Sequence, residues 1–363
     1  NFTFGGEKLH DVVFPKPAFT DADKDAQQKK LTGTAWAQLA LGVQSQALLG
    51  VLTQVGVKAA AMAGHSFGEV AALHAAGALD AEALVQVARK RGELMRDASA
   101  SVSGAMTAVA KPIDEVRAVV AASGAEVVVA NHNSPTQVVL SGSTAAIEQV
   151  EAALAAKGMT AKRLPVSTAF HSPLVAGSSK PFGEFLAGVK VTAPAVPVFG
   201  NADAAAYPAE PAAIRERLAA QLAQPVRFVE EIEAMYAKGA RTFVEVGAGS
   251  VLTELVGRIL GDKEHRAISL DRKGKHGVTT LQEALGRLAL AGVQVDFAPL
   301  WADYAPASDK PAKKPGMAIP MSGANVGRPY PPPGGAAALP KPNPERKPVI
   351  VEVPVQVPVP VAA

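Results

Sequence analysis

A serine framed by glycines sets the tightest limit on what this chain can fold into. Gly64-His65-Ser66-Phe67-Gly68 stands between a short apolar run at 59–63 and a helical pattern at 67–76. Strand, sharp turn and helix in that order belong to a sheet whose strands are joined by helices. Small flanking residues permit the turn, and the turn lifts the serine hydroxyl clear of the sheet. A helix starting near Phe67 aims its N-terminal amides and positive dipole end at Ser66. The Phe67 N–H is then a natural oxyanion donor. The plainer alternative is a glycine-rich turn that holds a serine by chance.

The surrounding pattern fits such a sheet. Helices are expected at 34–52, 80–98 (Asp80 as N-cap), 211–223 and 251–260. Short strands are expected at 196–199 and 242–246. The fold class is therefore α/β, with a hydrolase-like large subdomain around a mostly parallel sheet. The middle of the chain differs. Strand 104–110, helix 113–122, strands 126–130 and 137–141, helix 145–157 and strand 160–165 follow one another. A turn is expected at Asn133-Ser134-Pro135. That β-α-β-β-α-β order predicts an inserted ferredoxin-like small subdomain over about 104–166.

Composition narrows the function. Of 28 prolines, 15 lie between Pro306 and Ala363, so 305–363 reads as a Pro-rich linker and 1–304 as the folded domain. Lys plus Arg total 36 against 33 acids, and aromatics make up 5%, which argues against a nucleic-acid binder. The absence of cysteine excludes disulfides, thiolate zinc sites and a cysteine nucleophile, and fits a cytoplasmic protein. No metal-spaced cluster of His, Asp and Glu stands out. The uncharged stretch 31–57 is interrupted by Gln38, Gln44, Gln46 and Gln54 and leads to the serine turn. It is expected to be a largely buried soluble helix rather than a membrane span. The start has neither an initiator Met nor a signal-peptide pattern, and reads as a piece of a longer chain.

A serine nucleophile needs a base. Of seven histidines, His65 adjoins Ser66 but should point away from it, and His74 lies on the next helix. His171 sits in a loop just after the small subdomain, where a base could face a cleft. A surface or core histidine is the alternative reading of it. Arg91 is a charge in the wrong place. Leu84, Ala88, Arg91 and Met95 share one face of a helix, and it is the apolar face. A guanidinium there needs an anion. An internal Asp or Glu would serve, and so would a substrate carboxylate held bidentately.

Together these pieces resemble the malonyl-CoA:acyl-carrier-protein transacylase family, which includes acyltransferase domains of fatty acid and polyketide synthases. The resemblance runs over about 9–300. It rests on Gly64 to Glu69, Arg91-Gly92-Glu93-Leu94-Met95, Asn131 to Gln137, Ala169-Phe170-His171-Ser172-Pro173, and Glu245 to Ser250. The runs Val13 to Pro17 and Ser322 to Pro331 look like the polyunsaturated-fatty-acid synthase branch of polyketide synthases. The resemblance implies Ser66 as nucleophile and His171 as its base, with the Gln221 backbone carbonyl orienting the histidine. It implies Arg91 as the partner of the malonyl carboxylate, Gln38 as a site glutamine, and Phe170 as a residue favouring malonyl over methylmalonyl. Asn131 and Asn133 look structural. The family's first strand and its Gly-Gln-Gly-Ser-Gln loop, source of a second oxyanion amide, have no counterpart in this chain.

The implied reaction is ping-pong acyl transfer. A malonyl group passes from coenzyme A to a seryl ester, then to the phosphopantetheine thiol of an acyl carrier protein. No bound cofactor is required. The implied partners are an upstream ketosynthase and downstream carrier domains, with no role for a membrane. Two other readings stand beside it. One is a serine esterase or thioesterase using Ser66, His276 and either Asp262 or Asp271. The other is a degenerate, non-catalytic spacer.

Overall fold

The computed structural model describes residues 3–4, 6–101, 103–166, 168–302 and 333–335. The chain divides into two units, Asn1–Asp303 and Tyr304–Ala363. The expected Pro-rich linker lies outside the described residues apart from 333–335. The folded unit opens with a short antiparallel pair, β1 (Thr3–Phe4) and β2 (Glu7–Lys8), and α1 (Leu9–Val13). Four helices follow: α2 (Asp21–Thr32), α3 (Thr34–Gln54), α4 (Gly68–Ala75) and α5 (Ala81–Ser101). Asp80 caps α5, its carboxylate accepting from the Ala83 N–H at 2.8 Å.

By length and composition alone, α3 could cross a membrane. Here Trp36, Gln38, Leu39, Gly42 and Leu52 are buried, while Leu41 is 39% exposed. The helix is thus half-buried, not largely buried as its apolar sequence suggested. Its inner face crosses α5 at Gly92. A Cβ on Gly92 would come within 2.9 Å of the Ala35 Cα and the Thr34 carbonyl oxygen. That close approach brings Gln38 to the neighbouring Arg91.

The small subdomain runs β3 (Gly104–Val109), α6 (Ile113–Ser123), β4 (Val127–Ser134), β5 (Gln137–Ser143), α7 (Thr144–Ala156) and β6 (Ala161–Arg163). Its sheet has the order β4-β5-β3-β6, and every pairing is antiparallel. The β-α-β-β-α-β order is the one expected. Val109, Val116, Val138, Leu140, Ile147 and Leu154 form its core. The β4–β5 turn is one step later than expected: Ser134 pairs with Gln137 across Pro135-Thr136. Pro135 fits there because its locked φ suits a turn and it owes no N–H to the ladder.

The chain then returns through α8 (Ser179–Ala187), α9 (Pro211–Ala220), α10 (Phe228–Ala237), β7 (Thr242–Glu245), α11 (Val251–Leu260), β8 (Arg266–Ser269) and α12 (Gly277–Leu290). Strands β7 and β8 pair in parallel. The expected mostly parallel sheet is less regular than that among the described residues. Segments 59–63 and 196–199 meet only at the parallel bridge between Met62 and Val198. The sequence explains the shortfall: Ala59-Ala60-Ala61 has weak strand preference, and Pro197 has no N–H to donate. The bridge still sets the register, with the Met62 N–H donating to the Pro197 carbonyl and the Phe199 N–H to the Met62 carbonyl.

Candidate active site

The turn after Met62 is as tight as its glycines require. A Cβ on Gly64 would lie 2.1 Å from the Gly68 carbonyl group. Ser66 adopts φ 53°, left-handed backbone that a non-glycine residue takes up at a cost of about 1–3 kcal/mol. His171 does the same at φ 57°. These two strained residues meet: the Ser66 Oγ lies 2.8 Å from the His171 Nε2. Phe67 precedes α4 in helical conformation. No acceptor for its N–H is found among the described residues.

His171 is buried, and burial together with the Arg91 charge lowers its pKa to about 3. The ring is therefore neutral at neutral pH. Its Nδ1 lies 2.9 Å from the Gln224 backbone carbonyl, which can only accept. That contact places the ring proton on Nδ1 and leaves Nε2 free to take the serine proton. The orienting hydrogen bond thus comes from Gln224, not from the Gln221 carbonyl expected by resemblance. The Gln221 carbonyl is a lesser influence on the ring. The chain turns between them, with the Gln224 N–H donating to the Gln221 carbonyl at 3.3 Å.

Gln221 contributes its side chain instead. Its Nε2 donates to the Ser66 carbonyl at 2.9 Å and its Oε1 accepts from an Arg91 terminal nitrogen at 3.0 Å. Arg91 is 1% exposed. Its other terminal nitrogen donates to the Gln38 Oε1 at 2.8 Å and approaches the Met95 sulfur at 3.2 Å. The nitrogen facing Gln221 also reaches the Ser66 Oγ at 3.3 Å. Burial lowers the guanidinium pKa to about 10, against the opposing pull of Glu69, so it stays charged at neutral pH. Its Nε has no hydrogen-bond partner. No carboxylate among the described residues forms an ion pair with it. The internal acid nearest in effect, Glu69, acts on the charge through space without bonding to it.

The other histidines do different work. His65 points away from Ser66, its Nε2 lying 2.8 Å from the Asn133 Oδ1 on β4, and burial lowers its pKa. His74 contacts the Leu79 carbonyl. Phe170 is half-buried, packed between the core of the large part and a patch of the small subdomain. The esterase triad is not assembled. His276 caps α12 through Thr279, and Asp271 accepts from the Gly249 N–H. Among the described residues, no group of three or more His, Asp and Glu could hold a metal ion.

Three participants have no place in the sequence-based expectations. Gln224 carries no signal beyond its nearness to Gln221. Glu231, fully buried on α10, carries one: it shares a helix with Phe228, Val229, Ile232 and Met235, the same misplaced-charge pattern that marks Arg91. Asn201, 1% exposed beneath the serine turn, carries none. Behind Ser66 these join Glu69. Burial raises the Glu69 carboxyl to about 7, and burial plus Glu69 raises that of Glu231 well above the ordinary range.

The family model described as "Acyl transferase domain" matches residues 4–295. The malonyl CoA-acyl carrier protein transacylase of Bacillus subtilis (strain 168) is 36% identical over 297 residues, 77% of this chain and 93% of that protein. A polyunsaturated fatty acid synthase polypeptide of Thraustochytrium sp. is 30% identical over 301 residues, 81% of this chain but 10% of that polypeptide. Among solved structures, the acyltransferase domain from the second module of the salinomycin polyketide synthase superposes with a TM-score of 0.72 at 32% identity. That match covers 83% of this chain and 69% of the other. A serine at a strained turn, a neutral histidine in contact with it and an unpaired arginine beside both are thus carried on the fold of these proteins, and the chain belongs to the acyl transferase domain family.

Proposed function

We propose that this domain moves a malonyl group from malonyl-CoA to the phosphopantetheine thiol of an acyl carrier protein by way of an ester on Ser66. One observation carries the choice of acyl group: a buried, charged guanidinium without a carboxylate lies 3.3 Å from the nucleophile. A malonyl thioester supplies both a carbonyl for Ser66 and, one methylene away, the missing anion.

The steps follow from the contacts. His171 Nε2 takes the Ser66 proton as Oγ attacks the thioester carbonyl. The Phe67 N–H stabilises the oxyanion, since it follows the nucleophile at the start of a helix and has no other acceptor among the described residues. The tetrahedral adduct collapses, the C–S bond breaks, and the coenzyme A thiolate leaves with the proton from His171. The carrier thiol then gives its proton to His171 and attacks the ester, and Ser66 recovers its proton as it departs. Arg91 holds the carboxylate in both halves, with Gln38 and Gln221 fixing the guanidinium plane. Phe170 borders the acyl pocket and favours malonyl over methylmalonyl. No aspartate is needed, because the Gln224 carbonyl already sets the histidine tautomer.

The wider setting belongs to the same proposal. Residues 1–304 form the catalytic domain, built on a hydrolase-like parallel sheet with the ferredoxin-like insertion. Residues 305–363 are a linker towards carrier domains of a cytoplasmic multidomain synthase, with a ketosynthase upstream. The experiment is intact-protein mass spectrometry after incubation with malonyl-CoA, then with a phosphopantetheinylated carrier protein. The expected result is one malonyl group per chain, discharged by the carrier and absent in Ser66→Ala. A malonyl adduct that persists in Ser66→Ala would overturn the assignment.

A further inference from the structure

The nucleophile turn is held from behind by one side chain that the reaction itself never uses. Asn201 Oδ1 accepts from the Ser66 N–H at 2.7 Å. Its Nδ2 donates to the Gly64 carbonyl at 2.7 Å and to the Glu231 Oε2 at 3.0 Å. Its own N–H donates to the Glu69 Oε1 at 2.9 Å, and its carbonyl accepts from the Arg227 N–H at 2.9 Å. Every polar group of Asn201 is therefore engaged, and four of the five contacts reach the serine turn or the two buried carboxyls behind it.

The register explains why a side chain is used. Met62 pairs in parallel with Val198 through both its N–H and its carbonyl. A continued ladder would next engage the Gly64 carbonyl and amides beyond it. The chain bends away at Ser66 instead, so those groups leave the plane of the strand. The Asn201 carboxamide has the donor and acceptor of a peptide unit. It supplies the rung that the backbone can no longer form.

We propose that Asn201 is a positioning residue for acyl transfer: its carboxamide extends the parallel ladder by one rung and holds Ser66 in the left-handed conformation that presents Oγ to His171. Glu231 anchors the carboxamide from the far side. The inference rests on Ser66 being the nucleophile, as proposed above. Asn201 touches neither Arg91 nor Gln38, so its loss acts on the chemical step and not on recognition of the malonyl carboxylate. Misplacing a reacting atom by about 1 Å can cost on the order of a hundredfold.

The test measures single-turnover malonyl transfer to Ser66 by intact-protein mass over a range of malonyl-CoA concentrations. Asn201→Ala should lower the maximal acylation rate about ten- to hundredfold and leave half-saturation within about threefold of wild type. Glu231→Gln, which keeps an acceptor for Nδ2, should stay close to wild type. Glu231→Leu, which removes it, should fall between the two, and it decides the matter if Asn201→Ala does not fold. A lowered Tm with an unchanged rate per folded molecule would overturn the proposal, because it would mark Asn201 as structural only. So would equal losses in Glu231→Gln and Glu231→Leu. Wild-type protein that forms no Ser66 adduct would instead count against the proposed function itself.

Discussion

The two sides of Ser66 bury ionisable groups of opposite kind and resolve them differently. In front, the Arg91 guanidinium is held by Gln38, Gln221 and Ser66, all uncharged. Behind, Glu69 and Glu231 are bridged by Asn201, and Tyr207 donates to Glu69 at 3.2 Å. A buried carboxyl can escape its desolvation cost by keeping a proton, which is why both acids are shifted upward. A guanidinium with a pKa near 10 has no such escape at neutral pH. The acid side can therefore stay neutral, although Glu69 Oε2 and Glu231 Oε1 are left without hydrogen-bond partners. The arginine side is complete only when an anion arrives from outside. In the proposed mechanism the same physics yields a brace on one side and a binding site on the other.

The largest effect short of deleting the nucleophile should come from the base that lies between the two sides. His171→Ala should slow adduct formation by roughly 10²–10⁴-fold in the single-turnover mass assay. In the wild-type protein, burial and Arg91 hold the ring pKa near 3 instead of 6.5. Acylation should then show no inflection at about pH 6.5, where an ordinary histidine would titrate. A rate that halves there would mean the front side is wetter than the geometry implies.

The acid side predicts a pH-dependent stability. Glu69 ionises near pH 7 in the folded protein and near 4.5 when unfolded. Between those values Glu69 keeps its proton only in the folded state, so its contribution to stability is full below pH 4.5 and is lost as pH rises through 7. The amplitude is on the order of 3 kcal/mol. Glu231, His65 and His171 titrate in both proteins, so denaturant titrations across that window should show wild type losing stability relative to Glu69→Gln as pH rises. An unchanged slope in the variant would place the titration elsewhere.

How far the sequence reveals this arrangement depends on periodicity. Arg91 stands out because a helix imposes a regular face, and a charge on an apolar face is conspicuous in the residue pattern itself. Glu231 obeys the same rule on α10, but that helix is only ten residues long and is not among those expected. The serine turn and the β-α-β-β-α-β order are legible for the same reason: local sequence dictates them. The parallel sheet is less so, because Ala59-Ala60-Ala61 and Pro197 pair poorly and the missing rung is supplied by a side chain. Contacts such as Asn201 with Ser66 and Gln224 with His171 join distant segments through a single carboxamide or carbonyl. No periodic pattern announces them.

Central to the proposed mechanism is an Arg91 that waits for a carboxylate. Arg91→Ala, supplied in separate reactions with malonyl-CoA and acetyl-CoA, tests that directly by the amount and rate of adduct on Ser66. The expected result is loss of malonyl loading with acetyl loading kept or increased, since acetyl has no anion to pair. Equal losses for both, together with a Tm lowered as for a broken buried ion pair at about 3–5 kcal/mol, would show that the guanidinium serves the fold and not the substrate.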